Sequence, residues 1–213
     1  MLIENTQIFG FQVAFRAMRN PMDSWDRSDS SMGRDEGAGC EGFVPGPKDL
    51  ELFLKLAKNG PEHGKQLRFI KIWVTLTLPR YVWTEFDTYK VGCERYSCST
   101  MHKLGTRELT NEDFQSPPLP AVLDYLNGRG KLYRDDGKKD YDLVRDMKAN
   151  LPESFLQKSD ISMNYQTALN IFRQRRNHRL QEWRFTDGKG NSICDWIYRL
   201  PLMEEIVKVS LPE

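Results

Sequence analysis

The stretch LRFIKIWVTLTL, residues 67–78, decides how the rest of the chain reads. Ile70, Ile72, Val74, Leu76 and Leu78 recur with period two, and Lys71, Trp73, Thr75 and Thr77 alternate with them. Successive side chains of a strand point to opposite faces, so the pattern predicts a strand over 67–78 with one face committed to a core. Pro79 has no N–H for a ladder and ends it. Just upstream, PKDLELFLKLAKN (47–59) predicts a helix, with Pro47 in the first turn and Gly60 beyond the end. Leu50, Phe53, Leu54 and Leu56 would form its buried stripe.

Downstream of the strand, PRYVWTEFDTY (79–89) predicts a short helix and 90–104 a loop. Further helices are predicted over 120–126 and 141–149. The longest spans 163–183, and a tail over 193–209 holds one or two short helices cut by Pro201. At the other end, QIFGFQVAF (7–15) is β-friendly and predicts a strand. Residues 16–47 have no sustained period and predict a long irregular loop that carries Trp25 with Arg16, Arg19 and Arg27. A loop of that length in a compact domain is usually functional or disordered. Long helices with at least two strands and no regular βαβ alternation give an α+β class, as a single domain over 1–213.

The 213 residues carry 31 Lys+Arg against 30 Asp+Glu, a net charge of +1. That balance argues against a dedicated non-specific nucleic-acid binder, which needs a large basic excess to displace counterions, but leaves room for a local basic pocket. No run reaches the roughly 18 apolar residues of a membrane span. The first residues lack the basic start and apolar core of a signal peptide, so a cytoplasmic location and no membrane partner are expected. Cys40, Cys93, Cys98 and Cys194 show no CxxC or zinc-ribbon spacing and read as reduced thiols, with a Cys93–Cys98 pair as the alternative. His63, His102 and His178 are too dispersed to nominate a metal site. P-loop, GxGxxG, GxSxG and HExxH signatures are all absent.

Two regions carry chemistry. In NYQTALNIFRQRRNHRLQEWR (164–184), Leu169, Phe172, Leu180 and Trp183 share a helical face, and Arg176 falls into the same stripe. Arg175 and Arg179 lie one turn apart beside it. An arginine on an apolar face requires a carboxylate or a bound anion, and the guanidinium fork suits a phosphate or the edge of a base. Internal pairing with Asp or Glu is the alternative. The second region, PRYVWTEFDTYKVGCERYSCSTMHKL (79–104), crowds Arg80, Glu85, Asp87, Tyr89, Ser97, Ser99 and His102 after the best strand. Rigid strands followed by loops commonly position functional groups.

Together these regions resemble the flavin-dependent thymidylate synthase family. Arg80 and Trp83 lie where that family has an arginine followed by an aromatic residue, and Ser99 in SCSTMH matches its loop serine. Arg175 and Gln181 in RRNHRLQEW match the arginine and glutamine of its later helix, and His63 lies near its Glu-His. The resemblance covers roughly residues 62–183. It departs at the family's Arg-His-Arg, aligned with Thr84, Glu85 and Phe86, and at the loop arginine, aligned with Met101. Glu85 would repel an anionic cofactor there.

The resemblance implies an antiparallel central sheet flanked by long helices, in a divergent, phage-related branch. It implies synthesis of dTMP from deoxyuridine monophosphate (dUMP), with a one-carbon unit moved to C5 using FAD, a reduced nicotinamide (NADPH) and methylene-tetrahydrofolate. It further implies a homotetramer whose sites draw on several chains. By that reading Arg80, Ser97, Ser99, Arg175 and Gln181 face the nucleotide. His63, Trp83, Glu85, Tyr89 and His178 face the cofactor, with Trp83 and Tyr89 packing the flavin ring. The alternative is a non-catalytic binder of a nucleotide or single-stranded nucleic acid that has lost flavin chemistry, using Arg175, Arg176, Arg179, Trp183 and Trp25.

Overall fold

Gly10 decides where the first strand stops. Its φ is +99°, and a Cβ there would run into the Phe69 carbonyl oxygen, so only glycine fits. Strand β1 (Leu2–Phe9) therefore ends before it, and helix α1 (Phe11–Ala17) follows, burying Phe11, Ala14 and Phe15. The strand expected over 7–15 is corrected: its second half is helical, with the i, i+3, i+4 spacing of a helix face.

The computed structural model describes residues 1–32 and 42–211. After α1 come two single-turn 3-10 helices and the short strands β2 (Ser31–Met32) and β3 (Phe43–Val44), which pair antiparallel. Helix α2 (Pro47–Lys58), strand β4 (Lys71–Pro79), helix α3 (Arg80–Phe86), strand β5 (Cys93–Ser97) and helix α4 (Thr100–Lys103) follow. The second half holds α5 (Pro120–Asp135), α6 (Tyr141–Ala149), β6 (Leu156–Asn164), α7 (Tyr165–Arg175), α8 (Ile193–Tyr198) and α9 (Met203–Ser210). The main sheet is antiparallel, in the order β1-β4-β6-β5. Among the described residues, no helix is long and apolar enough to cross a membrane.

The period-two reading of β4 holds: Ile72, Val74, Leu76 and Leu78 are buried. The strand starts later than expected, because Lys65–Arg68 form a 3-10 turn. Three expectations are corrected. Residues 90–104 are not a loop but contain β5 and α4. The helix expected over 120–126 runs on to Asp135. The helix expected over 163–183 starts at Tyr165 and ends at Arg175, and β6 precedes it. Asn164 sets its start: the side-chain carbonyl accepts from the Thr167 N–H at 2.9 Å, a capping bond that stops the strand and opens the helix.

The chain packs as two compact units, one of residues 1–4, 75–88 and 95–160, the other of residues 5–74, 89–94 and 161–213. In the first, Leu104, Leu109, Phe114, Leu126, Tyr133, Val144, Met147 and Leu151 form a core beneath the α5–α6 pair. In the second, α2 packs on α9 and α7 on α8. Phe15 stacks on Phe53 at a centroid distance of 4.5 Å there. The Arg19–Asp49 ion pair is buried in the same unit. Asp49 also accepts from the Ser28 hydroxyl at 2.6 Å and from the N–H and hydroxyl of Ser30. Arg19 is therefore a structural cation that fastens residues 19–30 onto α2.

Candidate functional site

In the second unit, the end of α7 gathers a cationic and aromatic cluster. Arg175 donates from Nε to the Tyr89 hydroxyl at 2.8 Å, and its Nη1 lies 2.9 Å from His178 Nε2. The guanidinium carbon sits 5.1 Å from the Trp183 ring centroid and 5.7 Å from that of Tyr89, so two aromatic faces stabilise its charge. Tyr89 in turn donates to Gln174 Oε1 at 3.3 Å.

The local sequence explains the arrangement. Helix α7 stops at Arg175, and residues 176–184 fold into consecutive turns: His178 N–H reaches the Arg175 carbonyl and Trp183 N–H the Leu180 carbonyl. These turns swing Trp183 into the interior, where it is fully buried, and Phe185 N–H returns to the Arg176 carbonyl. The Tyr89 segment is anchored by Thr167, whose hydroxyl donates to the Val91 carbonyl at 2.8 Å, and by Asn164 N–H on the Gly92 carbonyl. Gly92 has a φ of +68°, and a Cβ there would collide with the Asn164 side chain.

The His178 ring faces donors at both nitrogens: the Arg175 guanidinium at Nε2 and the Leu180 N–H at Nδ1, 3.2 Å away. Burial, reinforced by the neighbouring Asp195 and opposed by Arg175, pushes the Cys194 thiol up to about 12. The buried Asp195 carboxylate would be raised by burial alone. Hydrogen bonds from the Thr186 N–H and from the Ser192 and Thr186 hydroxyls instead hold it below the ordinary value.

The structure thus joins Arg175, Tyr89 and His178, which the sequence reading divided between two ligands. Gln181 lies exposed in the turn after α7, and His63 lies exposed in a turn closed by its N–H on the Gly60 carbonyl. Gln174 was not foreseen, since a glutamine on a helix carries no signal of its own.

In the first unit, Arg80 opens α3 and is engaged by Glu153 Oε1 at 3.2 Å and the Leu151 carbonyl. Trp83 is buried, its Nε1 donates to the Gln157 carbonyl at 2.9 Å, and the Arg95 guanidinium carbon lies 3.9 Å above its ring. Arg95 also pairs with Asp87 at 2.8 Å and donates to Ser159 and Gln157. Glu85 is half-buried on α3, where its carbonyl accepts from Thr88, and Phe86 lies in the core. Ser97 is exposed at the end of β5. Ser99 precedes α4 and lines a cavity of about 570 Å³ with Thr77, Lys103 and Gln157. Cys93 opens β5 and Cys98 follows its last residue, too far apart along the extended strand for a disulfide. Cys40 lies outside the described residues.

No protein-family model matches the chain, and no curated protein matches it in sequence. Solved structures do. A flavin-dependent thymidylate synthase from Helicobacter pylori, complexed with FAD and dUMP, superposes with a TM-score of 0.69 at 17% identity, covering 100% of both chains. A second structure of the enzyme from that organism, also with FAD and dUMP, gives 0.60 at 17% identity over 100% of this chain and 94% of the other. A UMP/dUMP methylase from Streptomyces cacaoi, bound with 5-Br dUMP, gives 0.53 at 11% identity over 96% and 92%. The likeness runs the length of the chain: the protein has the α+β fold of the flavin-dependent thymidylate synthases, in a divergent form.

Proposed function

We propose that this chain binds a nucleotide of the dUMP type and that Arg175 is the group that receives it. The observation that carries the reading is the Arg175 cluster: a guanidinium oriented by Tyr89 and His178 and backed by the Trp183 ring. A fork held this way loses little freedom on binding, and a guanidinium suits a phosphate or the carbonyl edge of a uracil. The dUMP-bound proteins that share this fold support the same ligand class. Tyr89 and His178 act here as positioning residues for Arg175.

FAD meets a different test. At Thr84, Glu85 and Phe86, aligned with the family's basic triplet, Phe86 is core, Thr84 bonds back to the Arg80 carbonyl and no cation is offered. The Trp83 ring already carries Arg95. These positions do not fit a flavin dinucleotide. The reading that survives is nucleotide recognition on a retained fold. A homotetramer, as the resemblance implies, is the assembly to look for by light scattering.

The test is spectroscopic and thermal. Natively purified protein, mixed with excess FAD and gel-filtered, should elute without a flavin band, while dUMP should raise the melting temperature in a concentration-dependent way. A retained flavin band would reinstate the synthase reaction, and an unmoved melting temperature at millimolar dUMP would remove the nucleotide.

A further inference from the structure

Residues 173–184 carry five arginines, Arg173, Arg175, Arg176, Arg179 and Arg184, against a single acid, Glu182. Arg175 belongs to the cluster described above. Arg184 is engaged locally: its Nε donates to the His178 carbonyl at 2.9 Å and its Nη2 to the Arg179 carbonyl at 3.0 Å, as a cation does past the end of a helix. Arg173, Arg176 and Arg179 differ, since none of their side chains has a hydrogen-bond or ionic partner among the described residues. Of the two companions that the sequence requires for Arg176, a carboxylate or a bound anion, the described residues do not supply the first. Arg173 and Arg179 are exposed and Arg176 is half-buried. Arg173 and Arg176 stand three apart at the end of α7, on one face of the helix. Phe185 N–H on the Arg176 carbonyl, and Arg184 on that of Arg179, hold the following turns against the same helix end. Like charges gathered at such spacing repel one another, and a polyanion laid across them turns the repulsion into attraction.

We propose that this end of α7 is an interaction surface for the sugar–phosphate backbone of a single-stranded nucleic acid. Arg173, Arg176 and Arg179 each meet a phosphate, whose oxygens the guanidinium fork can contact two at a time. The choice of a nucleic acid over an acidic peptide rests on the nucleotide reading of Arg175, the residue next to Arg176. A strand gripped here brings a base to that cluster, and only an unpaired base offers it a free edge. The net charge of +1 keeps the rest of the surface from holding polyanions indiscriminately, so the attraction is local to these turns.

The test is fluorescence anisotropy of a short labelled oligodeoxyuridylate titrated with the full chain at low salt. The wild type should bind it, with log affinity falling against log salt at a slope of about −2, the value for three phosphate contacts on a single strand. The triple variant Arg173→Gln, Arg176→Gln, Arg179→Gln should weaken binding by about tenfold or more and flatten the slope. The double variant Arg173→Gln, Arg179→Gln alters exposed side chains alone, so it should keep the wild-type melting temperature and still bind more weakly. Free dUMP should bind the triple variant as it binds the wild type. The two readings therefore fail separately: absent dUMP binding removes the nucleotide from Arg175, and absent strand binding removes this surface. Polyglutamate of equal charge should not displace the strand, and the same sequence in a duplex should bind more weakly. No binding by the wild type, a slope near zero, equal affinity in both variants, displacement by polyglutamate, or a duplex bound as tightly as the strand would overturn the proposal.

Discussion

Arg175 and Tyr89 are joined by a 2.8 Å hydrogen bond in which the guanidinium Nε donates to the phenol oxygen. The bond fixes the plane of the guanidinium, because the same side chain also lies against the Tyr89 and Trp183 rings. Orientation, more than charge alone, is what this cluster contributes. Removing the acceptor should therefore disturb recognition without removing the cation. Tyr89→Phe is expected to weaken dUMP binding by about 0.5–1.5 kcal/mol, the usual worth of one such bond. In an Arg175→Ala background the same change should have no further effect, and a double-mutant cycle reads the difference.

The Arg19–Asp49 pair makes the opposite kind of prediction, about stability and not about ligand. Asp49 is fully buried and collects Arg19, Ser28 and Ser30. Asp49→Ala leaves a buried guanidinium without its counter-charge and should cost about 3–5 kcal/mol in a urea titration. Replacement of Trp25, which is exposed and bonds only locally to Asn20 Oδ1 at 2.8 Å, should cost far less.

Acid lability should follow from Asp49 and Asp195. Burial works to raise both carboxyls, but their hydrogen bonds win and hold both below the ordinary carboxylate value. A depressed folded value means the unfolded chain takes up the proton first. The stabilisation is complete above about pH 4 and is lost as pH falls through the lower folded values. Asp195→Asn should flatten the acid limb of a melting-temperature profile and lower stability at neutral pH. An unchanged acid limb would show that Asp195 does not contribute.

Thiol reactivity should separate the cysteines. Cys98 is exposed, whereas the Cys194 thiol is buried and pushed up to about 12. In a Cys40→Ser background at pH 8, a disulfide reagent should modify Cys98 quickly and Cys194 only after denaturation. Rapid modification of native Cys194 would contradict its placement in α8.

The sequence made β4, α2 and the α8–α9 tail legible because each shows one clean period with a proline or glycine at a boundary, and α6 legible through its period behind the capping Asp140. Strand β6 was hidden because one of its inward positions is Ser159, a polar residue that the distant Arg95 satisfies. Its last two residues, Met163 and Asn164, run into α7 and read as the start of that helix. Strand β5 was hidden by its edge position, which leaves Glu94, Tyr96 and Ser97 exposed and gives no apolar face. Arg175 stood out as a candidate through its place in the RRNHRLQEW pattern. Its partnership with Tyr89 did not, since nothing in a single sequence links residues so far apart. The assignment of Trp83 to a flavin ring rested on residue type; in the structure the Arg95 guanidinium lies over that ring.

The most direct measurement is calorimetric titration of dUMP into the native protein and into Arg175→Ala, with far-UV circular dichroism recorded on both. The expected result is saturable binding by the native protein and a loss of about 1.5–3 kcal/mol, at least tenfold in affinity, in the variant at unchanged secondary structure. Equal affinity in the two proteins, or no heat of binding in either, would contradict nucleotide recognition by Arg175.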